Sequence, residues 1–241
     1  KFDDEDIEFF RSKGIFSEEF LKKLKEFKFE CDVWAIEEGS VIFPHEPIVT
    51  VRGPLYQVQM IETMLLLILN HQSLVATKTS RMVRVAKGRA ISEFGSRRAH
   101  GADAANLGAR AAYIGGAAAS ANTYTDRHLG IPATGTMAHS WVQSFDSEIE
   151  SFRAYAEVYP SSCLLLVDTY DVLRSGIPNA IKVFNELNEK GYRPLGIRID
   201  SGDIAYLTKE TRKMLDAAGF EDAKIVVSNS MDEFKIRDLL N

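Results

Sequence analysis

Two opposite charges at the end of an apolar stretch are the strongest sign of chemistry in this sequence. Arg198 and Asp200 lie two residues apart within residues 195–203. Because side chains alternate along a strand, both charges point to one face, while Ile197 and Ile199 point to the other. Parallel α/β proteins hold ligands where a strand exits toward a turn and a helix. The pair therefore indicates a ligand site at the end of a strand.

Four other apolar stretches of the second half also end in polar residues. Paired arginines suit a phosphate or diphosphate, and a histidine suits a base or a nucleophile. Neighbouring aspartates suit either the orientation of that histidine or, paired with Asp200, the binding of a Mg²⁺ ion that keeps its waters. A capping box at a helix start on the same rim would favour a phosphate. These residues are Arg97 and Arg98, Thr136 and His139, Asp168 and Asp171, Ser228 and Asn229, with Ser230 and Glu233 as the capping box.

Each of these residues, taken singly, also fits a structural role. The arginines fit a solvated loop, His139 fits a local hydrogen bond, and Asp168 and Asp171 fit caps of the loop that follows. Five polar strand ends on one rim are harder to explain by solubility. The set therefore favours an active site over five independent structural roles.

The elements that must position this rim alternate between strand and helix after residue 89. Such alternation with short connections predicts parallel strands joined by right-handed crossovers. A complete eight-unit barrel takes about 250 residues, and only about 150 remain for roughly five units here. We therefore expect an α/β fold, an incomplete parallel α/β barrel. Strands are predicted over 90–95, 130–135, 162–168, 194–200 and 224–228, and helices over 102–119, 147–159, 178–190, 204–218 and from 232.

The first part of the chain predicts a smaller N-terminal α+β domain. Helical periodicity covers 6–27, with Ser17 as an N-cap, and alternation with turns over 27–54 predicts a short antiparallel β unit. A long helical stretch follows over 55–87, with a break expected near Asn70. The predicted domains are 1–89, helical with a short β unit, and 90–241, the partial barrel that carries the rim.

Composition narrows the class of protein. The chain of 241 residues is 45% hydrophobic with a net charge of -5, which argues against nucleic-acid and membrane partners and favours small molecules. Cys31 and Cys163 suit free thiols in a reducing compartment, so we expect a cytoplasmic protein. The longest apolar run, 64–69, is far shorter than the roughly 20 residues of a membrane span. The first residue is Lys1 rather than Met, so we expect a missing or processed N-terminus.

Four ordered motifs give the sequence a specific resemblance. They read EFGSRRAHG over 93–101, GTMAHS over 135–140, VDTYD over 167–171 and GIRIDSGD over 196–203. Together they resemble nicotinate phosphoribosyltransferases, ligase-type enzymes with pentosyltransferase chemistry. The resemblance implies a type II phosphoribosyltransferase-like barrel and a homodimer. It also implies synthesis of nicotinate mononucleotide from nicotinate and phosphoribosyl pyrophosphate, with Mg²⁺ and with ATP hydrolysis coupled through a phosphohistidine.

The resemblance also implies roles for the residues of the rim. His139 would be the phosphohistidine, Asp168 would orient it, and Asp200 would face the ribose and the magnesium. The residues implied to bind nicotinate are Phe94, Thr136 and Arg198, and those implied to bind phosphoribosyl pyrophosphate are Arg97, Ser228 and Asn229.

Three alternatives remain at the level of sequence. A nicotinamide-using relative would carry an aspartate just before the histidine-bearing strand, and no acid occurs over 120–122, which favours nicotinate. A quinolinate-type relative would need a basic cluster for two carboxylates. The family also has an N-terminal tyrosine and a Gly-Val-Gly-Thr loop that have no counterpart in this sequence. Because these are missing, a catalytically inactive dimerisation or regulatory module is the third alternative.

Overall fold

The computed structural model describes residues 2–240, and the chain divides into two compact units, Lys1–Leu74 and Val75–Asn241. The division falls inside a long helix rather than in a linker. The predicted domain boundary after residue 89 stays a prediction.

The first unit begins with two short helices, α1 (Asp4–Ser12) and α2 (Glu18–Lys25). The helical region predicted over 6–27, with Ser17 as an internal N-cap, therefore consists of two helices. Gly14 adopts φ +68° just after α1, a conformation that ends a right-handed helix. The predicted N-cap of α2 is confirmed, because the Ser17 side chain accepts a hydrogen bond from the amide of Phe20.

The predicted short antiparallel β unit is confirmed. Strand β1 (Asp32–Ala35) pairs with β2 (Val49–Arg52), in a register that runs from Asp32 opposite Arg52 to Ala35 opposite Val49.

Helix α3 (Leu55–Val85) runs unbroken for 31 residues. The predicted break near Asn70 is wrong, because neither Asn70 nor His71 forces a break as proline would. By length and composition α3 is the one helix among residues 2–240 that could cross a membrane, with a mean hydropathy of 1.2 over its most apolar window. The apolar-run criterion missed this helix because polar residues interrupt its leucines. A single such helix does not by itself indicate a membrane protein, and none of this window is buried in the structure.

All strand pairs of the second unit are parallel, as predicted. Strand β3 (Ser92–Glu93) pairs with β4 (Ala119–Ser120), and Ala133 bridges to the far side of β4. The predicted strand over 130–135 is reduced to that bridge, because Pro132 has no amide hydrogen to donate. A second sheet has the order β5 (Leu164–Leu166), β6 (Gly196–Ile199) and β7 (Lys224–Val227).

Helices separate these strands, as a crossover topology requires. The main apolar core lies between the second sheet and its helices and contains Phe152, Leu165, Phe184 and Leu215. The helices are α4 (Ala102–Ile114), α5 (Thr123–Leu129), α6 (His139–Gln143), α7 (Glu148–Val158), α8 (Ile177–Glu189), α9 (Ile204–Ala217) and α10 (Glu233–Leu239).

One glycine marks where a helix meets the second sheet with no room for a side chain. A Cβ atom on Gly176 would lie 2.0 Å from the carbonyl oxygen of Val167. Gly176 ends a π-helical turn, Val172–Gly176, that the sequence did not reveal. This close approach fixes the connection between β5 and α8.

Candidate active site

Arg198 and Asp200 form an ion pair at the carboxyl end of β6. Arg198 Nη2 lies 3.1 Å from Asp200 Oδ1, and the two side chains are only 12% and 18% exposed. Ile197 and Ile199 are fully buried in the core on the opposite face. The predicted alternation of faces is therefore confirmed.

The Arg198 guanidinium joins the ends of several strands. Its Nε donates to Ser228 Oγ at 2.8 Å, and its Nη1 donates to Thr136 Oγ1 at 2.7 Å. The Phe94 ring centroid lies 5.5 Å from Cζ. With the bond to Asp200, three of the five N–H donors of the guanidinium are engaged. Two donors remain for a planar anion, and Phe94 supplies a flat apolar surface beside them.

Asp200 links the arginine to the histidine. Its Oδ1 accepts hydrogen bonds from both Arg198 and Ser228, and its Oδ2 lies 3.5 Å from His139 Nε2. Burial acts to raise the pKa of the Asp200 carboxyl, but the bonds from Ser228, Arg198 and His139 outweigh it and lower the pKa. Asp200 is therefore an anion at neutral pH.

His139 begins helix α6, and contacts on both ring nitrogens orient its ring. Nδ1 lies 3.1 Å from Thr169 Oγ1, while Nε2 faces Asp200. Because a carboxylate only accepts hydrogen bonds, we assign the proton of the neutral ring to Nε2 and the lone pair to Nδ1. Sequence reasoning missed Thr169, although it lies in the VDTYD motif directly after Asp168. The ring is 40% exposed and therefore open to a substrate.

Asp168 lies deeper than Asp200 and does not form the predicted hydrogen bond with His139. Its Oδ1 lies 4.0 Å from His139 Nε2, so the nearer carboxylate is that of Asp200. Asp168 Oδ2 accepts a hydrogen bond from Ser201 Oγ at 2.5 Å. Asp168 Oδ1 is buried and, within residues 2–240, has no hydrogen-bond partner. An unpartnered buried carboxylate oxygen is costly and points to a missing donor or cation.

Asp171 is structural, which is the alternative weighed for it from the sequence. It caps the π-helical turn by accepting hydrogen bonds from the amides of Leu173 at 3.1 Å and Arg174 at 2.9 Å.

Residues 2–240 contain no group of three His, Cys, Asp or Glu side chains arranged for a metal. The three-carboxylate magnesium site of Asp168, Asp171 and Asp200 is therefore wrong. Asp200 and the unpartnered oxygen of Asp168 still fit a Mg²⁺ ion whose other ligands are water and substrate phosphate.

Ser228 reaches the site, but the helix that follows begins differently from the prediction. Asp232 caps α10 by accepting hydrogen bonds from two backbone amides, at 3.1 and 2.8 Å. The predicted capping box of Ser230 and Glu233 is wrong, because Glu233 pairs with Lys78 Nζ at 2.6 Å. The phosphate site predicted at that helix start stays a prediction. Asn229 is exposed and adopts φ 83°.

Arg97 and Arg98 lie in a single 3₁₀ turn, Ser96–Arg98, after β3. Both side chains are exposed, and no hydrogen bond or ion pair engages either guanidinium in the described part of the chain. Two unengaged guanidinium groups on the rim retain all their donors for a phosphate.

Glu93 is an acid beside β4 that the sequence did not predict. Its Oε2 accepts a hydrogen bond from Ser120 Oγ at 2.6 Å, although no acid occurs over 120–122. Its Oε1 accepts from the amide of Gly95. Both carboxylate oxygens are thus engaged by the protein.

The sequence and the fold match those of known proteins over the whole chain. Residues 1–70 match the nicotinate phosphoribosyltransferase N-terminal domain, and residues 89–241 match the nicotinate phosphoribosyltransferase family. A nicotinate phosphoribosyltransferase of Mycobacterium tuberculosis is 46% identical over 240 residues, which are 100% of this chain and 51% of that protein. The chain thus spans about half the length of the curated relatives it matches.

Two solved structures show the same fold. Human nicotinic acid phosphoribosyltransferase superposes with a TM-score of 0.93 at 32% identity, covering 100% of this chain and 60% of the human chain. Nicotinate-nucleotide pyrophosphorylase from Pyrococcus furiosus superposes with a TM-score of 0.78 at 28% identity, covering 86% of this chain and 54% of that chain. These matches confirm the predicted α/β fold class, and the chain belongs to the nicotinate phosphoribosyltransferase family.

Proposed function

We propose that this protein transfers the phosphoribosyl group of phosphoribosyl pyrophosphate to nicotinate, the first step of NAD synthesis from nicotinate. The products are nicotinate mononucleotide and pyrophosphate. The observation that carries the proposal is the Arg198 guanidinium, which keeps two free donors beside the Phe94 ring. A planar carboxylate attached to a flat aromatic ring matches both features.

Nicotinate lies with its carboxylate on Arg198 and its ring against Phe94. Thr136 contacts the same substrate, because its hydroxyl already lies 2.7 Å from Arg198 Nη1. The phosphoribosyl end lies toward Asp200, with Arg97, Ser228 and Asn229 on its phosphates. In this assignment, nicotinate lies on the Arg198 side of the ion pair and the phosphoribosyl group lies on the Asp200 side.

The transfer itself needs little acid-base chemistry. The bond from the anomeric carbon to the pyrophosphate oxygen breaks, positive charge develops on the ribose, and the pyridine nitrogen forms the new bond. The carboxylates of Asp200 and Asp168 stabilise that positive charge, and the binding groups hold the two reactants in line. Asp200, together with the phosphates of the substrate, would hold a Mg²⁺ ion, and that ion would supply positive charge to offset the charge of the departing pyrophosphate.

ATP is the co-substrate in this proposal, and His139 receives its γ-phosphoryl group. A ring nitrogen of His139 forms the P–N bond as the bond to ADP breaks, and water later releases phosphate. The half-exposed ring and its two fixed nitrogens support this role. The phosphoryl group adds about two negative charges to the site, which would favour binding of a Mg²⁺ ion together with the diphosphate.

The partners are small molecules, and we place the protein in the cytoplasm as a homodimer. The net charge of -5 supports the absence of nucleic-acid and membrane partners. Cys31 and Cys163 are both free, and burial raises the pKa of the Cys163 thiol to about 12, which keeps it unreactive.

A competition assay tests the proposal on the whole natural polypeptide. Nicotinate, nicotinamide and quinolinate are supplied together with phosphoribosyl pyrophosphate and Mg²⁺, with and without ATP, and the nucleotide products are separated. We expect nicotinate mononucleotide as the main product and more of it with ATP. Preference for nicotinamide or quinolinate contradicts the assignment of Arg198, and a folded protein that binds no substrate supports the inactive module instead.

A further inference from the structure

Glu93 lies inside the turn that carries Phe94. The Glu93 carboxylate accepts a hydrogen bond from the Gly95 amide on one oxygen and from Ser120 Oγ on the other. A Cβ atom on Gly95 would lie 2.8 Å from Glu93 Oε1, so the turn closes tightly around the carboxylate. Phe94 is the residue between Glu93 and Gly95, which the first of these hydrogen bonds joins.

Ser120, the second residue that holds the Glu93 carboxylate, is itself held in place. Ser120 is 1% exposed, and its Oγ also accepts a hydrogen bond from the amide of Asn122 at 3.1 Å. The Asn122 side chain caps α5 and donates to Asn106 Oδ1, on α4, at 2.9 Å. A continuous set of hydrogen bonds therefore ties the turn to two helices.

A backbone pairing also holds this turn, but only up to Glu93. The amide of Ala121 donates to the Glu93 carbonyl at 2.9 Å, and no backbone hydrogen bond of the described chain joins Phe94 itself to β4. Beyond the strand, the Glu93 side chain supplies the link between the turn and the sheet. Its loss frees the Phe94 backbone to move away from Arg198.

We propose that Glu93 is a positioning residue that holds the Phe94 ring over the Arg198 guanidinium. It does so by closing the turn onto Gly95 and anchoring it to Ser120. The kinetic part of this inference rests on the proposed function, because Phe94 and Arg198 form the nicotinate side of the site. The structural part is independent of any activity.

Hydrogen exchange at the Gly95 amide tests the structural part. Exchange is measured by mass spectrometry on peptides that span residues 92–98 of the whole natural polypeptide. We expect fast exchange in Glu93→Ala and protection close to wild type in Glu93→Gln. Glutamine keeps one acceptor for Gly95 and can donate to Ser120 Oγ. Unchanged protection in Glu93→Ala overturns the inference, whatever the protein catalyses.

A double-mutant cycle with Phe94→Leu tests the kinetic part. We expect Glu93→Ala to raise KM for nicotinate about tenfold and KM for phosphoribosyl pyrophosphate less than about twofold, and Glu93→Gln to restore nicotinate KM to within about threefold. In the Phe94→Leu background, Glu93→Ala should add no more than about twofold. Additive effects, or equal effects on both substrates, overturn the inference.

Two further outcomes are decisive. If Glu93→Ala does not fold, Ser120→Ala removes one anchor while keeping the carboxylate. We then expect faster exchange at Gly95 and a rise of about threefold in nicotinate KM, and no change in either contradicts the inference. If the wild type forms no nicotinate mononucleotide, the proposed function fails, while the exchange data still decide what holds Phe94.

Discussion

His139 Nε2 lies 3.5 Å from Asp200 Oδ2 and half an ångström farther, 4.0 Å, from Asp168 Oδ1. Asp200 also bonds Arg198 through its other oxygen. One carboxylate therefore contacts both the group assigned to nicotinate and the group assigned to phosphoryl transfer. This arrangement predicts that the substitutions of Arg198, Asp200 and His139 have different kinetic signatures.

Arg198→Ala should mainly impair the capture of nicotinate. Loss of one partner from a buried, hydrogen-bonded charge pair costs about 2–5 kcal/mol, so kcat/KM for nicotinate should fall by about thirtyfold or more. KM for phosphoribosyl pyrophosphate should change less than about threefold. Arg198→Lys is the matched control, since it keeps the charge but loses the planar fork. Equal losses for both substrates would show that the ion pair is only structural.

Asp200→Asn should mainly impair the use of phosphoribosyl pyrophosphate. The substitution keeps the size of the side chain but removes the negative charge that faces the ribose and the magnesium. Steady-state kinetics should show a fall of about a hundredfold in kcat/KM for that substrate, with a smaller effect on nicotinate. A larger effect on nicotinate than on phosphoribosyl pyrophosphate would contradict the separation of the two substrates.

His139→Asn should abolish the coupling to ATP. After incubation with ATP labelled in the γ-phosphoryl group, wild type should carry an acid-labile label, and the variant should carry none. The variant should also lose the stimulation of product formation by ATP. Thr169→Val tests the orientation of the ring, and we expect labelling to slow by about tenfold without disappearing. Labelling of His139→Asn at the wild-type level would refute the phosphohistidine.

The lowered pKa of Asp200 predicts an acid-dependent contribution to stability. The folded state favours the charged carboxylate, so the contribution is present above the pKa of the unfolded group, about 3.9, and is lost as pH falls through the lower folded pKa. Urea unfolding of wild type and Asp200→Asn at pH 6, 4 and 3 should show a stability difference that shrinks with acidity. A difference that is constant over this range would contradict the lowered pKa.

Gly176→Ala should destabilise the second unit by about 3 kcal/mol, because its Cβ would meet the Val167 carbonyl oxygen. Gly135→Ala is the matched control, since no atom lies within 4 Å of its added Cβ. Neither glycine has a positive φ, so the comparison isolates the steric clash from backbone strain. The midpoint of denaturant unfolding measures the stability of each variant. Similar midpoints for the two variants would mean that the π-helical turn shifts to make room.

Secondary structure was predicted most accurately where the spacing of apolar residues in the sequence matches the pattern of buried residues in the fold. Strand β6 alternates as expected because Ile197 and Ile199 must be buried, and this fixes the faces of Arg198 and Asp200. Helices α7, α8 and α9 lie within a residue or two of their predicted bounds because their apolar positions recur with the helical period.

Interactions between residues far apart in sequence were not predictable. Glu233 fits a capping box locally, but Lys78 is 155 residues away, and the ion pair redirects the side chain. The contact of Ser120 with Glu93 also joins separate strands, so an acid is present where the local sequence has none. Sequence patterns such as the capping box indicate hydrogen-bond partners only among residues that are close in sequence. Partners that are far apart in sequence depend on the folded structure.

The three hydrogen bonds on Arg198 have a thermodynamic consequence for substrate affinity. A long side chain that is immobilised on binding costs about 0.5–1.5 kcal/mol in conformational entropy. The contacts with Thr136, Ser228 and Asp200 already restrict this side chain before any ligand arrives. That entropy is lost during folding instead of during binding, so the preorganised guanidinium gives a small carboxylate such as nicotinate more net affinity than a mobile arginine would.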